Sequence, residues 1–200
     1  LIDLGDSLGC VDEAVAILED QIDDIRDSRV RLARLMQVAG LYHRTLRDLD
    51  AAEDAYERAL EINAEAVDAL DGLLEVAIDD ERFDKQLKVL ERKQLIAKVP
   101  EDKKAILSEM GRIWEVEIGD AGRAVSIYQR ILELLPGDKD ALVALSRLYR
   151  ELENHEALAG VLEQRVNQEN DLDIGVELRM QLAKLWSGPL HNPSQAIHWL

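Results

Sequence analysis

The chain has one cysteine, Cys10, so no intrachain disulfide can form and the redox compartment is left open. It has four prolines and 4% aromatic residues, and no stretch alternates apolar and polar residues long enough to make a convincing strand. No apolar run approaches the ~18 residues needed to cross a membrane. Basic residues are outnumbered, 24 against 41 acidic, for a net charge of −17. That deficit argues against nucleic acid or an anionic membrane surface as the main partner, since both demand a basic footprint. The chain opens on Leu1 rather than Met, so the lack of a visible signal peptide carries no weight.

What remains is helix-forming. Hydrophobic residues make up 47% and charged residues 32%, and Ala, Leu, Glu and Arg are abundant. Val11, Val15, Leu18, Ile22 and Ile25 fall at helical spacing on one face, as do Leu32, Leu35, Val38, Ala39 and Tyr42. Ala52, Tyr56, Ala59 and Leu60 mark the next stripe, behind a capping Asp48. The alternation of helix and break continues through Val67–Ala77, Phe83–Leu95, Glu101–Ile118, Asp120–Leu135, Asp140–Leu152, His155–Val166 and Leu172–Trp186. Pro136-Gly137-Asp138 is a strong breaker, and Pro193 suits the first turn of a last helix after an Asn192 cap. Residues 1–9 read as a helix end and a turn.

The chain also repeats itself. Tyr42, Trp114 and Trp186 lie 72 residues apart, as do the cap residues Asp48, Asp120 and Asn192 and the small residues Ala52, Ala124 and Ala196. Tyr56 aligns with Tyr128, and Ile17-Leu18-Glu19 aligns with Val89-Leu90-Glu91 and Val161-Leu162-Glu163. Two kinds of helix pair therefore alternate; one keeps the Ala and Tyr of its second helix, and the other carries Gln86 or Leu158 and Leu90 or Leu162 instead. This register predicts that Trp114 and Trp186 are core residues rather than ligand-stacking platforms.

Leu107-x2-Met110-Gly111-x2-Trp114, Ala124-x3-Tyr128 and Pro136 together resemble one tetratricopeptide repeat. Leu35-x2-Val38-Ala39-x2-Tyr42 with Ala52-x3-Tyr56 matches the same pattern, and Leu142-x2-Leu145-Ser146-x2-Tyr149 matches its first helix. The turn between Tyr42 and Ala52 is one residue longer than the family's, as is that between Trp114 and Ala124, and Ile131 replaces the expected small residue. The alternating form is similar to long arrays inside large bacterial proteins.

The resemblance implies an all-α fold, a right-handed α-α superhelix or solenoid of antiparallel helix pairs. The expected division is a single solenoid over 1–200, with a partial repeat at 1–26, repeats at about 28–62, 65–98, 101–135 and 138–169, and a partial repeat at 172–200. Leu1 aligns with residues inside a first helix and Leu200 with Tyr128 inside a second. The expectation is thus a window cut from a longer array, whose ends contact another solenoid segment.

Three motifs suggest chemistry and are set aside. Gly5-Asp6-Ser7-Leu8-Gly9 fits the G-x-S-x-G elbow, but that site needs a strand before the Ser, and here the preceding segment aligns with helices. His155-Glu156-Ala157-Leu158-Ala159 starts like H-E-x-x-H and lacks the second His. Asp171-x-Asp173-x-Gly175 has too few oxygens and a misplaced Gly for a calcium loop. The four histidines are scattered, and no phosphate-binding G-x-x-x-x-G-K-[ST] occurs. No catalytic residue, cofactor or metal is therefore expected.

The expected function is non-enzymatic: a scaffold binding a protein partner on the concave face, which in the family is lined by the first helix of each pair. The alternative is a structural solenoid that stacks on itself into an oligomer or filament. Counting by the helical period places Met36, His43, Arg44, Asp71, Glu75, Asp79, Arg112, Glu115, Arg147, Arg150, Met180 and Lys184 on that face. Partners are then another protein or a second copy, with neither nucleic acid nor membrane insertion. The Lys and Asn arrangement by which chaperone-binding relatives clamp a C-terminal carboxylate is not present.

Overall fold

Asp and Asn residues just before the apolar stripes fix the helix starts. Asp48 accepts a hydrogen bond from the Ala51 N–H, Asp120 from Arg123 and Asn192 from Gln195, each three residues on. Asp138 and Asn154 do the same for Ala141 and Ala157, while Asp27 and Asp171 each hold two N–H groups of the following turn. Each cap satisfies backbone donors that the helix itself leaves open.

The computed structural model describes residues 11–200. The Gly5–Gly9 motif, Cys10 and the helix end expected over residues 1–9 lie outside the described residues. The chain divides into two compact units, one ending at Ile96 and the other running from Ala97 to Leu200. Among the described residues the regular structure is helical throughout.

The first unit contains α1 (Val11–Ile22), α2 (Ser28–Leu41), α3 (Leu49–Ile62), α4 (Val67–Asp79) and α5 (Phe83–Ile96). Each helix packs on the next in sequence, and α2 also touches α4, so first helix meets first helix. Val38, Ala39, Ala52, Ala55, Ala59, Ala69 and Leu70 have no exposed surface. The alanines among them, Ala39, Ala52, Ala55, Ala59 and Ala69, let the helix axes approach closely. The Tyr56 ring lies against the backbone of α4 at Gly72, where a Cβ would clash with it.

The second unit contains α6 (Pro100–Arg112), α7 (Ala121–Leu134), α8 (Lys139–Glu151), α9 (His155–Gln168), α10 (Leu172–Ser187) and α11 (Pro193–His198), again packed in sequence order. Leu107, Ile113, Ala124, Leu142, Leu148 and Leu182 have no exposed surface. Tyr128 lies over Gly111 of α6, where a Cβ would come within 2.8 Å of the ring carbon Cζ. Its partner in the first unit, Tyr56, uses the following helix for the same purpose.

The extra residue between each aromatic and the next small residue has a definite shape. Helix α2 ends in a π-helical turn, Tyr42–Leu46, and α6 ends in another, Ile113–Glu117. A π-turn closes i→i+5 and absorbs one inserted residue without breaking the helix. The exit geometry then repeats. Tyr42, Trp114 and Trp186 each accept a backbone hydrogen bond from the capping residue six positions on, at 3.0, 2.7 and 2.7 Å. Arg47, Gly119 and His191, each just before that cap, are left-handed, with φ of 58°, 78° and 47°. Glu81 and Glu153 form a second left-handed pair, at the alternate turns. The 72-residue register is thus a repeat of backbone conformation.

The aromatic side chains at that register are not the buried core residues expected. Tyr42, Trp114 and Trp186 are all half-buried. They sit on the last turn of a first helix, where cover is incomplete: the Arg123 guanidinium lies 4.3 Å from the centre of the Trp114 ring, and the Tyr42 hydroxyl donates to Glu19 at 2.8 Å. The buried tyrosine rings among the described residues are Tyr56 and Tyr128 on second helices and Tyr149 on the first helix α8.

Candidate functional site

The twelve residues placed on the first helices divide between the two units. In the first unit, the π-turn after α2 carries His43 and Arg44 toward the α4 residues Glu75 and Asp79. His43 Nε2 lies 2.9 Å from Asp79 Oδ2, and its Nδ1 lies 4.0 Å from Glu75 Oε2. Arg44 pairs with Glu75 at 3.4 Å, and Arg47, which the sequence did not single out, pairs with Asp79 at 3.2 Å. Tyr56 lies close beneath; burial pushes its phenol up, partly offset by the Arg44 charge.

His43 corrects the expectation of an outward-facing residue. It is only 4% exposed; Asp79 meets its Nε2 at hydrogen-bond distance, while its buried Nδ1 has no hydrogen-bond partner, Glu75 standing 4.0 Å away. Met36 is half-buried and packs on the apolar core of its unit. Asp71 is turned toward the second helix of its pair, where Lys93 of α5 donates to it at 2.5 Å. Arg44, Glu75 and Asp79 remain exposed.

In the second unit, Glu115 stands 72 residues after His43, and Arg147 stands 72 residues after Glu75. This pair touches too, at 2.6 Å, with the charges reversed: the acid is on the π-turn and the base on the following first helix. The Glu115 side chain is 12% exposed and also accepts from the Tyr128 hydroxyl at 3.4 Å. Burial pushes the Tyr128 phenol up, and the Glu115 charge adds to this. A contact is thus repeated while its polarity is not, which periodicity of residue type does not reveal. Arg112 is held by Glu109 and Glu117 at 3.0 and 2.7 Å. The position of Glu75 and Asp79 opposite Arg112, Arg147 and Arg150 along one groove is no part of either unit's own geometry.

Arg150, Met180 and Lys184 are exposed. Arg150 donates to Gln181 across to α10 at 3.3 Å, and Met180 is 49% exposed. Arg150 and Lys184 share a cavity of about 500 Å³ with His155, Leu158, Leu162, Gln181, Leu185 and Pro189.

Among the described residues no group of three or more His, Cys, Asp or Glu side chains is placed to hold a metal ion. No described helix is long and apolar enough to cross a membrane. The Ser146 hydroxyl is buried and donates to the Leu142 carbonyl at 2.7 Å.

Residues 33–65, the α2–α3 pair, match the family model described as tetratricopeptide repeat. Among characterised proteins the chain is similar to the mouse (Mus musculus) Superkiller complex protein 3, 28% identical over 156 residues. That alignment covers 77% of this chain and 10% of the relative, so the chain spans about a tenth of its length. Among solved structures, YrrB, a tetratricopeptide-repeat protein with an unusual peptide-binding site, aligns at 15% identity and a TM-score of 0.48, over 91% of this chain and 88% of its own. A tetratricopeptide-repeat protein from Parabacteroides merdae ATCC 43184 aligns at 14% identity and a TM-score of 0.48, over 98% of this chain and 73% of its own.

Proposed function

We propose that this chain, an all-α array of helix pairs carrying a tetratricopeptide repeat at 33–65, is a non-enzymatic scaffold that binds a protein partner through its first helices. The observation that carries the reading lies on the first helices and the turns that end them, where exposed charge at Arg44, Glu75, Asp79, Arg112, Arg150 and Lys184 stands beside exposed apolar residues such as Val143, Val176 and Met180. Such a face offers shape and charge rather than reactive chemistry, which suits recognition of a polypeptide. In this reading the first helices of each unit present that unit's binding face.

Arg150 and Lys184 are the residues to test. Arg147 is less suitable, since Arg147→Glu would set two carboxylates against each other at the half-buried Glu115. The double variant Arg150→Glu, Lys184→Glu should lose partner captured from cell extract while its thermal melt stays unchanged. Undiminished capture would count against the face.

Self-assembly is the second reading, favoured by Leu172, Val176, Met180, Ile197 and Leu200, which are exposed on α10 and at the end of α11. Sedimentation across a concentration series separates it from a monomeric scaffold.

A further inference from the structure

Two grooves, one in each unit, differ in charge. The groove of the first unit is lined by Glu53, Glu57, Asp80 and Asp84 and by Arg82, Lys85, Lys88 and Arg92. Those charges are mostly spent on one another: Lys85 pairs with Glu53, Arg92 with Glu57, and Arg82 with Asp80 and Asp84. The Arg150–Lys184 groove of the second unit has no carboxylate in its lining, unlike the two neighbouring grooves there, which include Glu133 and Glu169. Its polar residues are Arg150, Lys184, His155 and Gln181, and its apolar ones are Leu158, Leu162, Leu185 and Pro189. In a chain of net charge −17, a cavity lined by cations without an acid stands out.

These cations are also not consumed elsewhere. Arg150 donates only to the neutral amide of Gln181, and among the ion pairs of the described residues none involves Arg150, His155 or Lys184. A further cation lies near: burial lowers the pKa of Arg165 and the nearby Arg150 charge lowers it further, while the charges of Glu169 and Glu177 act the other way. The cavity, about 500 Å³, is in the range that takes one or two side chains of a bound segment.

We propose that this groove docks a partner segment in which a side-chain carboxylate stands next to a bulky aliphatic residue. The carboxylate meets Arg150 and Lys184, and the aliphatic side chain lies along Leu158, Leu162 and Leu185. This places second-helix residues of α9 and the turn after α10 in the contact, beyond the first helices alone. The inference rests on the scaffold reading above and names the chemistry of the partner.

The test uses two fluorescent, C-terminally amidated peptides, Leu-Asp-Leu-Asp-Leu and Leu-Asn-Leu-Asn-Leu, titrated with the whole chain and followed by anisotropy. Amidation removes the terminal carboxylate, so only side-chain acids are read; the same Asp peptide with a free terminus measures what an end carboxylate adds. The Asp peptide should bind about tenfold or more tighter than the Asn peptide, the size expected of a charge-assisted hydrogen bond. Arg150→Gln with Lys184→Gln should abolish that preference, with the circular-dichroism melt unchanged, while Lys98→Gln, at an exposed lysine outside the groove, should retain it. Equal binding of the two peptides, no binding at millimolar concentration, a preference carried by the free terminus alone, or a preference that survives the double Gln variant would each overturn the proposal. If the peptides fail in one of these ways while the double Glu variant still loses its captured partner, the groove chemistry is wrong and the scaffold reading stands.

Discussion

Two aromatic residues 72 positions apart, Tyr56 and Tyr128, do equivalent work by different routes, and each depends on a glycine. At Gly72 and Gly111 the helix backbone itself forms the wall of the ring's slot. Gly111→Ala should lower stability by about 1–3 kcal/mol in urea melts, the range for forcing one extra carbon into a filled core. Gly72→Ala should cost at least as much, since the clash there is closer. Trp114 belongs to another class. It is half-buried under Arg123, so Trp114→Ala should cost about 2 kcal/mol, below the ~3–5 typical of a fully buried ring. Tyr42 supplies a pH signature. Burial, then its hydrogen bond to Glu19, push its phenol from 10.0 up to about 12. The folded value lies above the unfolded one, so the stability it contributes is whole below pH 10 and is lost as pH rises toward 12. Tyr42→Phe should remove that alkaline loss from the melting curves; an identical pH profile in the variant would contradict it.

At the scale of the element, the recurring unit is the exit from a first helix. It combines an aromatic residue, a one-residue expansion or its equivalent, a left-handed residue and a capping Asp or Asn. The left-handed site is occupied by Gly119 in one copy and by Arg47 and His191 in the others. L-residues pay roughly 1–2 kcal/mol there, and Gly does not. Gly119→Ala should therefore destabilise by about 1 kcal/mol, and Glu153→Gly, at the alternate left-handed turn, should stabilise by up to about 1 kcal/mol. Thermal melts with the sign of both changes reversed would show that backbone strain does not govern these turns.

The helix pairs, their caps and their breaks were legible because periodicity, cap chemistry and turn residues are local and agree with one another. The π-turns were legible only as a spacing excess: counting residues between Tyr42 and Ala52 does not separate a longer loop from an i→i+5 closure. Partner choice among the charges was not legible at all. Arg44, Arg47 and His43 meet acids 31 to 36 positions away, through rotamers that no local pattern encodes. For the same reason His43 was assigned to an open face, and the reversed Glu115–Arg147 contact left no trace in residue type.

For the whole molecule, charge and repetition set the behaviour. An excess of acid at −17 means self-repulsion, so moderate salt should raise the melting temperature by screening it, even though it weakens individual surface ion pairs. The central claim is that the first helices present the binding face. The most direct measurement is a photo-crosslinker scan with captured partner, one position at a time. Arg44, Arg112 and Met180 represent the first helices and the turns that end them, and Glu61, Ser126 and Gln164, all exposed, represent the second helices. The account predicts crosslinks at the first three positions and none at the others. Crosslinks confined to Glu61, Ser126 and Gln164 would contradict it.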